Sequence, residues 1–176
     1  MTALEVADTI RICWDSASPR AGQLILRSKG VWHYGVVVSD LRAVSWGPVA
    51  RGKWFALGQL EVHPLEQAFA VATQVPYLPK PQIYANLLAS VPAFHHVWHY
   101  GFHGWNCEHW ARLVVSGDPV SYQLAQTGWG IFDVFGVLRR HRTAKQHLDY
   151  HLANLSSLPP VTPNRSQQPT AGRCDD

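Results

Sequence analysis

The chain has 176 residues, with 15 Lys plus Arg against 12 Asp plus Glu, and its net charge of +3 is too weak to argue for nucleic acid as a partner. Apolar residues make up 47% of it, enough for a sizeable core, and 8 Trp with 6 Tyr point to an aromatic-rich core or cleft. No apolar run reaches the ~18 residues of a membrane span, MTALEVADTIR lacks the regions of a signal peptide, and three scattered cysteines without CxxC spacing argue against a disulfide framework, so a reducing, cytoplasmic location is expected.

Residues 1–20 read as an N-terminal extension, turn-rich at Asp15-Ser16-Ala17-Ser18-Pro19. Gly22–Arg27 reads as a strand and Ser28-Lys29-Gly30 as a turn. Val31–Ser39, full of β-branched and aromatic residues, is the strongest strand signal in the chain. Alternation puts His33, Gly35 and Val37 on one side of it and Trp32, Tyr34, Val36 and Val38 on the other. Ala43–Trp46 returns as a short strand, and Trp54–Val62 is another, broken at Gly58. Pro64–Ala72 is expected to be a helix with Pro64 in its first turn, and Ile83–Ala89 a second, closed before Pro92. Trp98–Gly101 reads as extended.

Trp105-Asn106-Cys107-Glu108-His109-Trp110 then turns from loop to helix. Asn106 is a good N-cap, and Glu108 places negative charge in the first turn. Cys107, Trp110, Ala111 and Val114 share one face, and Gly117 with Pro119 ends the helix. Cys107 would lie at the positive end of the helix dipole, which lowers a thiol pKa and favours the reactive thiolate. A short helix is expected over 119–126. Within 128–155 an apolar stretch turns basic at Arg139-Arg140-His141-Arg142, which gives a helix packed on the domain as the plainer reading and an interfacial membrane helix as the sharper one. Pro, Ser, Gln and charge dominate 156–176, the composition of a disordered tail.

A catalytic thiol needs a histidine in reach and a third group to orient it. His33 is the best candidate, aimed from mid-strand, with Gly35 leaving open space beside it. The plainer reading makes His33 a packed strand residue and Cys107 a small buried hydrophobe. His109, about 200° round the helix from Cys107, is read as fixing the loop or packing. His99 and His103 read as surface or loop residues, and the histidine run from His95 to His99 lacks the ligand code of a metal site.

His33-Tyr34-Gly35-Val36-Val37-Val38 followed by Asn106-Cys107-Glu108-His109-Trp110 resembles the lecithin retinol acyltransferase family, a circularly permuted branch of the NlpC/P60 papain-like thiol enzymes. The resemblance covers about 20–127 and so marks 21–127 as the domain. It implies an α+β fold with a small antiparallel sheet packed on the cysteine helix, Cys107 as nucleophile and His33 as base. It implies acyl transfer or hydrolysis through an acyl-thioester, an acyl lipid as partner, peripheral membrane contact, and no cofactor or metal. Asn106 and the backbone N–H of Cys107 would shape the oxyanion hole. Where the family carries a second histidine, this chain has Ser45, which can orient His33 but brings no charge. His63 or another group remains open for that role. Two other activities stay open: an amidase or peptidase of the wider superfamily, and a catalytically weak domain that binds lipid or protein.

Overall fold

A computed structural model describes residues 1–27, 33–50, 55–65, 69–72, 75–101, 105–123 and 134–156. It is an α+β fold. Strands β1 (Leu24–Arg27), β2 (His33–Val37), β3 (Arg42–Pro48), β4 (Phe55–Pro64), β5 (Phe69–Val71) and β6 (His99–Gly101) form one sheet in the order β5-β1-β2-β3-β4-β6. Every neighbouring pair is antiparallel. The helices among the described residues are α1 (Ala3–Cys13), α2 (Lys80–Phe94), α3 (Cys107–Ser116) and α4 (Val134–Ser156).

Strand parity divides the sheet into two faces. Leu24, Tyr34, Val36, Val44, Trp46 and Leu60 point to one, where they form a single core with Ile10 of α1, Leu87 and Phe94 of α2, and Cys107, Trp110 and Val114 of α3. Ala144 and Leu148 join α4 to the same core. Ile25, Val37 and Ala43 form a smaller buried cluster on the other face, with Leu65 packed against them. Gly35 belongs to that second face. A Cβ there would stand 2.9 Å from the Val44 carbonyl and 3.5 Å from Ile25, so the glycine permits close strand packing and leaves no space for a ligand.

Several elements differ from the expectation. Residues 3–13, read as part of an extension, form a helix with a Thr2/Glu5 capping box and bury Val6, Ile10 and Cys13. The helix expected over 64–72 is absent from the described part of that range: Pro64 ends β4, and Phe69–Val71 pair with β1. The open edge of β1 offers unpaired backbone groups, and pairing with them outweighs the modest helix preference of this stretch. α2 continues through Pro92, which is exposed. β4 runs unbroken through Gly58, because the residue is required for a different reason: a Cβ at Gly58 would overlap the indole of Trp46, which is fully buried. Gly58→Ala is therefore expected to destabilise the fold by about 1–3 kcal/mol, measured by urea unfolding. An unchanged midpoint would contradict this packing.

The turn at 28–30 and the tail beyond 156 lie outside the described residues; of the helix expected over 119–126, residues 119–121 are not helical, 122–123 are, and 124–126 lie outside the described residues. No described helix is long and apolar enough to cross a membrane.

Candidate active site around Cys107

The Asn106 cap forms as expected. Its Oδ1 accepts from the N–H groups of Glu108 at 3.1 Å and His109 at 3.2 Å, while the Asn106 N–H donates to His109 Nδ1 at 3.2 Å. His109 thus takes the place that Glu or Gln holds in the usual capping box. Its Nδ1 lies 3.0 Å from Asn106 Oδ1 as well, and the ring proton's place follows from which of these two groups Nδ1 pairs with. The ring stacks on Trp105 at 5.0 Å and lies 5.0 Å from His141 of α4. Burial, and then the positive charges of His141 and Arg140, push the His109 pKa down to about 3. His109 is a neutral packing group that fixes the loop before the cysteine. At the other end, Gly117 closes α3 in the left-handed region with φ 74°.

Cys107 is the first residue of α3 and only 1% exposed. The Tyr100 hydroxyl donates to its Sγ at 3.6 Å. Burial pushes the thiol pKa up, against the hydrogen bonds of the Tyr34 backbone, Tyr100 and the Glu108 backbone, which pull it down. This corrects the expectation of a thiolate favoured by the helix dipole. Desolvation of the fully buried sulfur, with the Glu108 charge beside it, outweighs these donors, so the thiol pKa is raised.

Glu108, fully buried beside the cysteine, anchors the segment that follows α3. Its carboxylate takes the Arg112 Nε at 2.9 Å, the Ser121 hydroxyl at 2.8 Å and the Gln123 N–H at 2.9 Å. Burial and then the Glu108 charge raise the Tyr34 hydroxyl pKa, so this tyrosine stays neutral. Asn106 Nδ2 also reaches Ser121 Oγ, at 3.4 Å. Asn106 therefore ties the start of α3 to Ser121. The Cys107 amide lies outside the hydrogen bonds of the cap.

The three residues assigned to catalysis are divided by the sheet. Sγ sits at the backbone of Tyr34, next in sequence to His33. The His33 side chain belongs by parity to the opposite face, where a Cβ at Gly47 would stand 3.8 Å from its Cε1. Ser45, buried, pairs with Gly35 and shares the face of His33, as the spacing requires of an orienting group. His63 pairs with Ala43 on that same face, one strand further on. His99 is exposed, and His103 lies outside the described residues. Among the described residues no group of three or more His, Cys, Asp or Glu could hold a metal ion.

Sequence reasoning missed Tyr100 and the Glu108 network. Glu108 and Arg112 are spaced i, i+4, a legible ion-pair signal. Nothing local marks Tyr100, whose place depends on β6 pairing with β4. No protein-family model and no curated protein sequence matches the chain.

Proposed function

We propose that this chain is a thiol-dependent acyltransferase or acyl hydrolase with a permuted papain-like fold, related to the lecithin retinol acyltransferase family. The observation that carries the reading is the position of Cys107: first residue of a capped helix, its sulfur at the backbone of the residue that follows His33. His33 is the base, and Ser45 lies beside it only in its resting position on the opposite face of the sheet. For the reaction, the imidazole must come round the start of β2 to the sulfur. The S–H proton then passes to His33, and sulfur adds to an ester or amide carbonyl carbon. The tetrahedral intermediate expels an alkoxide or amide nitrogen, which takes the proton from the imidazolium. Water, an alcohol or an amine adds to the thioester, releases the acyl product and restores the thiol. The substrate is an acyl lipid, met at a membrane surface by the basic stretch Arg139–Arg142, whose arginines are exposed.

A second reading, a lipid- or protein-binding domain with little activity, is favoured by the burial of the thiol and by the face on which His33 lies. Incubation with phospholipid, peptide and amide donors, followed by intact-mass analysis, separates the readings. The enzyme is expected to gain an acyl mass that is lost in Cys107→Ala, and His33→Ala should slow its appearance by about 10²–10⁴-fold. Acylation by peptide or amide donors alone moves the assignment to an amidase or peptidase. No adduct from any donor, with a thiol inert to alkylation, leaves the binding domain.

A further inference from the structure

We propose that Tyr100 is a catalytic residue of this site, its hydroxyl holding the Cys107 sulfur and its ring closing the sulfur off from an aromatic pocket through which substrate enters. The inference rests on Cys107 being the nucleophile. Tyr100 makes contact in both directions. Its hydroxyl donates to Sγ at 3.6 Å. The residue also lines a pocket of about 330 Å³ together with Trp98, Trp105 and Arg140. This pocket is lined from β6 and α4, Cys107 is not among its lining residues, and that residue is 1% exposed.

The hydroxyl can act only as a hydrogen-bond donor. Burial, and then the charge of a Cys107 thiolate, hold its proton firmly in place. A donor on sulfur stabilises thiolate more than thiol, because a hydrogen bond to a charged acceptor is the stronger one. Tyr100 thus counteracts part of the cost of ionising a buried thiol, and no proton leaves the phenol. The ring packs 5.1 Å from Trp46, a fixed surface in the core. Displacing the ring from the sulfur would join the pocket to the thiol.

Alkylation of Cys107 in the full chain, located by peptide mapping, tests this without an acyl donor. Tyr100→Phe keeps the ring and removes the donor. It is expected to slow alkylation by iodoacetamide about tenfold at neutral pH and to move the rate profile toward higher pH. Tyr100→Ala removes the cover. It is expected to speed alkylation by the bulky N-benzylmaleimide about tenfold or more relative to Tyr100→Phe. An unchanged pH profile in Tyr100→Phe overturns the hydroxyl's role. Equal maleimide rates in the Phe and Ala variants overturn the ring's role, and Tyr100→Leu serves in its place if the Ala variant fails to fold. If these shifts appear while no donor acylates the wild-type thiol, the acyl-transfer reading fails and the Tyr100 assignment stands. If wild type and Tyr100→Phe acylate at the same rate, the Tyr100 assignment fails alone.

Discussion

Glu108→Ala is expected to lower the unfolding free energy by about 3–5 kcal/mol, the usual cost of removing one partner of a buried ion pair. The carboxylate is fully buried and accepts from Arg112, Ser121 and the Gln123 backbone. Its loss leaves an arginine side chain only 12% exposed without its counter-charge, and strands two further donors. Removing both charges together, in Glu108→Met with Arg112→Met, should cost less than the single change, because no unpaired cation remains. Urea unfolding of the two variants decides the matter. A single variant within about 1 kcal/mol of wild type would show that the network does not lock the segment after α3.

Acid should unfold the protein through its buried histidines. His109 has a folded pKa of about 3 against an unfolded value near 6.5, and burial is the main cause. Its neutral form therefore contributes fully above pH 6.5, and the contribution is lost as pH falls toward 3. In that window the unfolded chain binds a proton that the folded chain refuses. At 1.36 kcal/mol per unit, the loss from this residue alone reaches about 2–3 kcal/mol by pH 4.5. His141, which packs against His109, and His95 are shifted in the same direction by burial and steepen the fall. His109→Gln keeps an acceptor for the Asn106 N–H and removes the titrating group. Its stability should depend less on pH between 6.5 and 4.5, measured by urea midpoints across that range. A slope equal to wild type would locate the acid sensitivity elsewhere.

Legibility followed the range of the forces involved. β2, β3 and the extended stretch before α3 could be read because alternation and β-branched residues act over a few positions. α1 was also legible in principle: Thr2 and Glu5 make a capping box, and Val6, Ile10 and Cys13 recur at helical spacing. β5 was not legible, since Phe69–Val71 become a strand only by meeting the edge of β1. Gly35 and Gly58 were misread for the same reason. A glycine in a strand signals an exceptional demand on space, but its neighbours, the Val44 carbonyl and the Trp46 indole, come from other strands.

The sequence by itself determined that a capped helix begins at Cys107 and ends at Gly117, and that His33 and Ser45 share one side of their strands. Those outcomes depend on local hydrogen bonds, on φ and on strand parity. Only the tertiary structure decided which face of the sheet receives α3, that the thiol is buried, and that the Tyr100 hydroxyl donates to it. These depend on which surfaces are removed from water together. For a cysteine at a helix start, desolvation by the surrounding fold outweighed the hydrogen bonds that favour its thiolate.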